Sequence, residues 1–156
     1  MRSGPLYVDA VSESEADSRW MARALALAEQ CPPSRTAFSV GAVIVAGGRI
    51  VGEGHSRAEQ PDDHAEEVAL RHAGRAAEGA TAYSTMEPCG RRASRPVPCA
   101  RLLADAGIAR VVYAIAEPER FVQAPGGAAV LREAGVRTRV MPEFAEAAEK
   151  PNAHLR

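Results

Sequence analysis

Residues 80–115 run ATAYSTMEPCGRRASRPVPCARLLADAGIARVVYAI. Ala80–Thr85 reads as a strand, Ala100–Ala106 as a helix ended by Gly107, and Val111–Ile115 as a buried strand. Strand, helix and strand in that order form the repeating unit of a parallel sheet with right-handed crossovers. Downstream the pattern recurs, with Ala128–Ala134 as a helix ended by Gly135 and Val136–Met141 as a strand.

Upstream, Val40–Ala46 is nearly all apolar, which suggests a strand covered on both faces. Gly47-Gly48 and the run Arg49–Gly54 complete a tight hairpin. A polar loop ends at Pro61-Asp62-Asp63, and Ala65, Val68, Ala69 and His72 then fall at helical spacing, so a helix starts near His64. Earlier still, Ser14 or Asp17 caps a helix carrying Trp20, Met21, Ala24, Leu25 and Ala28, which Pro32 and Pro33 stop. The expected order is α-β-β-α-β-α-β-α-β, an α/β fold whose largely parallel sheet is covered by helices. Residues 1–12 are expected as a loose N-terminal arm, 13–144 as a single domain and 145–156 as a frayed C-terminal tail.

The chain has 156 residues, of which 46% are hydrophobic and 25% charged, which suits one soluble domain. No apolar run approaches the roughly 18 residues of a membrane span, and Met1–Tyr7 holds no apolar signal core, so a cytoplasmic protein is expected. A net charge of −1 offers no footprint for sequence-independent nucleic-acid binding and points to a small-molecule substrate. Eighteen of the nineteen basic residues are Arg, Lys150 being the exception, so an arginine here says less than usual about anion binding. Three cysteines without a secretory signal suit metal binding or chemistry in a reducing compartment better than disulfides.

Chemistry concentrates in His64-Ala65-Glu66 and in Pro88-Cys89, which nine residues separate from Pro98-Cys99. One imidazole and two thiolates supply three ligands for a tetrahedral zinc and leave the fourth position for water, the arrangement of a catalytic rather than a structural site. His64 opens one expected helix and the Cys89 to Cys99 segment leads into another, and helix N-termini favour thiolate over thiol. Glu66, two residues beyond the histidine, is the natural proton carrier for a water whose pKa zinc lowers to about 7. Cys31 is either an incidental half-buried thiol or a fourth thiolate that would close the site.

His-x-Glu followed by Pro-Cys and a second Cys is the signature of zinc deaminases. From about Trp20 to Met141 the chain resembles the cytidine deaminase-like superfamily. The long gap between the cysteines resembles the deaminases of riboflavin biosynthesis, most of all their stand-alone fungal-type form. Gly54-His55-Ser56-Arg57, Ser84-Thr85-Met86-Glu87-Pro88-Cys89 and Glu117-Pro118 with Phe121-Val122 are similar to stretches of that family. Where bacterial bifunctional relatives carry Pro-Asn-Pro-x-Val-Gly, this chain has Ala37-Phe38-Ser39-Val40-Gly41, and no fused reductase domain is expected within its 156 residues.

The resemblance implies a three-layer fold with a five-stranded mixed sheet covered by helices, a Zn2+ cofactor held by His64, Cys89 and Cys99, and a homodimer or higher homo-oligomer. It implies as substrate a 2,5-diamino-6-(ribitylamino or ribosylamino)pyrimidinone 5′-phosphate that loses one ring amine as ammonia. Arg91, Arg92 and Arg95 in the loop between the cysteines either hold its phosphate or form a solvated face. Phe38 either stacks on the pyrimidine or belongs to the core, and His55, with Ser56 beside it, either contacts substrate or lies at the surface. Ser84 and Met86 are expected to line the pocket floor through backbone groups at the end of a strand. Competing readings are a cytosine-type nucleoside or nucleotide deaminase, a zinc-stabilised binding module without catalysis, and a nucleic-acid editor. The carboxylate of Glu66 argues against the binding module, and seven aromatic residues with near-zero charge argue against the editor.

Overall fold

A computed structural model describes residues 4–92, 95–118 and 126–155. Its elements are α1 (Gly4–Ala28), β1 (Gly41–Ala46), β2 (Arg49–His55), α2 (Ala65–Ala73), β3 (Thr81–Met86), α3 (Cys99–Asp105), β4 (Arg110–Ile115), α4 (Gly127–Glu133), β5 (Arg137–Val140) and α5 (Ala145–Glu149). The nine expected elements appear in the expected order, each within a few residues of its reading except at the start of α1.

The strands form one sheet in the order β2-β1-β3-β4-β5. β3, β4 and β5 are parallel, whereas β1 is antiparallel to both β2 and β3. The expectation of a largely parallel sheet therefore holds for one half only. A two-glycine hairpin can join only antiparallel strands, and β1 keeps that opposite sense where it meets β3.

Both faces of the sheet are covered, as the continuous apolarity of β1 and β4 required. Ala42 and Ile44 of β1, Ala82 and Met86 of β3 and Val111 of β4 pack with Ala65 and Ala69 of α2, Leu103 of α3 and Leu131 of α4. On the other face Val43 and Val45, Tyr83, Val112 and Ala114 pack with Met21 and Ala24 of α1 and Ala148 of α5. Alternate residues of one strand enter opposite cores because side chains of a strand alternate in direction. The result is three layers, with the sheet in the middle.

Two glycines of β2 set the position of α2. A Cβ on Gly52 would stand 2.2 Å from the carbonyl oxygen of Ala69, and one on Gly54 would stand 2.4 Å from that of Ala65. The helix thus lies with its backbone on the strand's backbone, an approach that only glycine permits.

Both chain ends depart from expectation. α1 begins at Gly4, so residues 4–12 are helical and not a loose arm, and residues 1–3 lie outside the described residues. Neither Pro nor Gly interrupts residues 6–28, so nothing stops the helix upstream of Ser14. At the other end, α5 buries Ala148 and short 3-10 turns continue to Leu155. Asn152 anchors them by accepting the N–H of Ser39 at 2.6 Å and donating to the carbonyl of Ser39 at 3.1 Å. That anchor joins residues 113 positions apart, so no local pattern announces it.

Asp17, expected as a possible helix cap, is instead the centre of a buried charge cluster. It is fully buried, accepts from both Nη atoms of Arg110 and takes further hydrogen bonds from Tyr83 and Arg139. Burial raises its pKa, but these donors outweigh burial and hold it below the ordinary Asp value. Removing one partner of a buried ion pair leaves the other uncompensated, so Asp17→Asn should lose about 3–5 kcal/mol of stability at pH 7 in denaturant titrations. A carboxyl whose folded pKa is depressed stabilises above its unfolded pKa, near 3.9, and stops doing so as pH falls through the folded value. The gap between wild type and Asp17→Asn should therefore be full at neutral pH and close only below about pH 4.

Candidate metal and active site

His64 is the N-cap of α2, with extended backbone at φ −97° and ψ 151°. The loop that delivers it is tied by the buried carboxylate of Asp63, which accepts the N–H groups of Glu59 at 3.0 Å and Gln60 at 2.8 Å. Glu67 then accepts the N–H of His64 at 2.9 Å, satisfying one of the donors that a helix start leaves over. Because α2 rests on β2, Glu66 is driven inward, where it is 5% exposed and accepts a hydrogen bond at 3.0 Å from the hydroxyl of Ser84 on β3.

Cys89 follows the end of β3 across Glu87-Pro88, and Cys99 is the first residue of α3. The backbone N–H of Cys99 points at the sulfur of Cys89 at 3.2 Å, and the N–H of Ala100 bonds the carbonyl of Cys89 at 3.0 Å. The ligand loop is thus folded back on itself before any ion is considered. The α4 start closes it from outside, since a Cβ on Gly127 would stand 1.6 Å from the carbonyl oxygen of Pro88.

Nδ1 of His64 lies 3.7 Å from the sulfur of Cys89 and 3.4 Å from that of Cys99. All three ligand atoms fall within 4.8 Å of one another, and among the described residues no other such group of histidine, cysteine and carboxylate side chains forms. Sulfur and nitrogen donors at ordinary zinc bond lengths and tetrahedral angles stand about 3.6 Å apart. The observed separations bracket that value, so the group fits the ion. Cys31 does not join it: the thiol donates to the carbonyl of Val40 at 3.5 Å, outside the cluster.

Without a metal the cluster shares its protons unevenly. The hydrogen bond from Cys99, with that from His64, draws the Cys89 thiol down to about 4 against the effect of burial. The same hydrogen bond, burial and the charges of Glu66 and Cys89 push Cys99 well above the usual thiol range. Burial likewise lifts Glu66 above the ordinary carboxylate range, and the Cys89 charge adds to it. Burial works to lower His64, but Cys89 and Glu66 more than offset it and raise the imidazole. A buried, negatively loaded site of this kind is one a dication relieves.

Glu117, at the end of β4, is pushed up to about 7, first by burial and then by the negative charges of Cys89, Glu66 and Glu87. Its N–H is held at 3.1 Å by one oxygen of Glu87, whose other oxygen accepts the N–H of Ala128 at 2.8 Å. Glu87 thereby ties β4 to the start of α4 across the site. Neither that latch nor the Ser84 to Glu66 bond is legible in the sequence, because each joins residues far apart in the chain. For Glu87 and Glu117 the signal in the sequence was the family-like stretches Met86-Glu87-Pro88 and Glu117-Pro118.

The remaining expected residues divide. Ser84 lies at the site through its side chain, where backbone groups were expected. Met86 is buried in the core between the sheet and α2. Phe38 is half-buried and packs against that core. The Nδ1 of His55, 3.1 Å from the carbonyl of Ser56, must donate to it. The hydroxyl of Ser56 is taken up by Val40, whose N–H it accepts at 2.9 Å. Arg95 reaches Gln60 at 3.2 Å, Asp63 at 3.5 Å and Glu67 at 3.6 Å, and Arg92 pairs with Glu67 at 2.7 Å, while Arg91 is exposed. Arg92 and Arg95 therefore already face carboxylates. Phe121-Val122 lie outside the described residues.

Residues 14–115 match the family model described as the cytidine and deoxycytidylate deaminase zinc-binding region. The chain belongs to this family. Zinc is accordingly its metal, and the His64, Cys89 and Cys99 group is shaped for it. Among its relatives, the diaminohydroxyphosphoribosylamino-pyrimidine deaminase of Schizosaccharomyces pombe is 42% identical over 122 residues, 75% of this chain and 30% of the relative. The chain spans about a third of the length of the curated relatives it matches. The RibD structure from Acinetobacter baumannii, form 2, superposes with a TM-score of 0.80 at 37% identity, covering 92% of this chain and 40% of that one. A C-terminal deletion mutant of the Rib2 deaminase of Aspergillus oryzae superposes with a TM-score of 0.71 at 28% identity, covering 89% of this chain and 98% of that one. These members share the three-layer fold described above.

Three protein donors define one site, so metal analysis of the purified protein should find about one zinc per chain. Cys89→Ala or Cys99→Ala should abolish stable binding, while Cys31→Ala should retain it. Loss of zinc from the Cys31 variant would make Cys31 a fourth ligand and the site a closed one.

Proposed function

We propose that the chain is a zinc-dependent hydrolytic deaminase of an aminopyrimidine nucleotide of the riboflavin-pathway type. The observation that carries this reading is a buried carboxylate, Glu66, that is no part of the His64, Cys89 and Cys99 group yet stands two residues from it and is oriented by Ser84. A purely structural metal has no use for such a group. When bound, zinc held by His64, Cys89 and Cys99 supplies Lewis acidity that makes a water available as nucleophile near neutral pH.

Glu66 accepts a proton from the attacking water and passes it to the ring nitrogen beside the amine-bearing carbon. As oxygen bonds to that carbon, negative charge is kept off the ring. Glu66 then delivers the second proton of the water to the departing amine, which leaves as ammonia while the ring gains a carbonyl. Ser84 keeps one carboxylate oxygen directed through this exchange by donating to the other. Burial keeps bulk water from competing for the carried proton.

The substrate class is supported by the names of the relatives, which include a diaminohydroxyphosphoribosylamino-pyrimidine deaminase and RibD proteins of riboflavin biosynthesis. On this reading the substrate is a 2,5-diamino-6-(ribitylamino or ribosylamino)pyrimidinone 5′-phosphate. On the same reading Phe38, His55 and Arg91 contact it and the chain works as a homo-oligomer, while free metal-binding thiols favour a reducing compartment such as the cytoplasm. No helix among the described residues is long and apolar enough to cross a membrane.

Ammonia release with this nucleotide, its dephosphorylated form, cytidine and cytidine monophosphates tests the substrate, and turnover of cytidine alone would overturn it. Glu66→Gln should keep its zinc and fold yet lose about 10²–10⁴-fold in turnover. A Glu66→Gln protein with zinc and near-normal turnover would refute the proton-carrying role.

A further inference from the structure

Arg92 lies in the loop between the two cysteines, and its side chain is only 2% exposed. One Nη donates to Glu67 Oε1 at 2.7 Å and to the carbonyl of Asp62 at 2.6 Å. The other points at the sulfur of Cys99 at 3.8 Å. Glu67 Oε1 in turn accepts the backbone N–H of His64 at 2.9 Å. A single guanidinium therefore bridges the peptide of His64 at the start of α2 and the thiol of Cys99 at the start of α3.

We propose that Arg92 is a positioning residue of the metal centre, holding the His64 and Cys99 ends of the site in register through Glu67 and donating to the Cys99 sulfur. The proposal rests on the reading that His64, Cys89 and Cys99 bind zinc. Two thiolates beside Glu66 gather negative charge in a buried place, and a permanently charged, planar donor is suited to temper it while leaving the ligand atoms to the ion. Its directional fork explains an arginine here, since a lysine ammonium cannot span Glu67 and Cys99 together. The same geometry argues against Arg92 as a substrate-phosphate ligand, because both of its Nη atoms are directed at Glu67, Asp62 and Cys99.

The full-length protein, stripped of metal and titrated with zinc against a chromophoric chelator, measures the effect. Arg92→Met should weaken zinc binding about 10- to 100-fold, the usual consequence of losing a group that orients a ligand. Loaded with cobalt in place of zinc, Arg92→Met should shift the sulfur-to-metal charge-transfer band to lower energy, since a thiolate that loses an N–H donor gives up its electrons more easily. General loosening of the fold would not move that band in this direction. Arg92→Lys should recover part of the affinity. Glu67→Gln should weaken zinc in the same direction, and it carries the test should circular dichroism show Arg92→Met unfolded. Wild-type zinc affinity with a wild-type cobalt band in a folded variant overturns the proposal, as does intact zinc binding with loss confined to phosphorylated substrate. Cys99→Ala separates the two readings: if it keeps zinc, the metal site itself is wrong, whereas if it loses zinc and Arg92→Met does not, only the role of Arg92 falls.

Discussion

The backbone of α2 lies directly on the backbone of β2, because Gly52 and Gly54 put no side chain beneath the carbonyls of Ala69 and Ala65. Everything in the site refers to this contact. It fixes the height of α2 above the sheet, and with it the position of His64 at the helix start and the inward aim of Glu66 toward Ser84 on β3. A side chain at either glycine would lift the helix and separate histidine and carboxylate from the two cysteines, which are held from the far side of β3. Close packing of this kind transmits small displacements instead of absorbing them.

Four glutamates near the metal group take different tasks according to what surrounds each. Glu66 is buried with a hydroxyl and the thiols for company, and its carboxyl is pushed upward, as suits a group that takes up and gives back protons. Glu67, the next residue, faces Arg92 and is held below the ordinary range, burial opposing and the guanidinium prevailing, so it stays an anion and works as a brace. Glu87 offers both oxygens to backbone N–H groups and joins β4 to α4. Glu117 sits among these negative charges and is raised to about 7. The residue type is the same throughout. The neighbours assign the role.

Much of the fold was legible because its signals are local. Glycine pairs, apolar runs and helix stops located nine elements in order, and the motifs His64-Ala65-Glu66, Pro88-Cys89 and Pro98-Cys99 located the site. Apart from the early start of α1, the readings that failed or stayed open depended on distant partners. Asp17 looked like a cap until Arg110 and Tyr83 were seen around it, and the segment after Ala145 looked frayed until Asn152 was seen to clasp Ser39. The arginines of the cysteine loop illustrate the same limit. Their spacing cannot tell a phosphate clamp from a brace, and only the position of Glu67 beside Arg92 and Arg95 separates the two.

The sequence by itself determined which chemistry is available, since a histidine, two cysteines and a nearby glutamate in this order offer three soft-to-borderline ligands and one free carboxylate. It also determined the element order and the burial of both sheet faces, since periodicity is a property of neighbouring residues. The tertiary structure decided which thiols converge and which one, Cys31, stands apart. It decided the antiparallel place of β1, the Ser84 bond that aims Glu66, and the conversion of Arg92 from a candidate anion ligand into a partner of Glu67 and Cys99. The physical reason is that hydrogen bonds and ion pairs across the sheet depend on distances between elements, and those distances are set by packing surfaces such as Gly52 and Gly54 under α2 rather than by the spacing of residues along the chain.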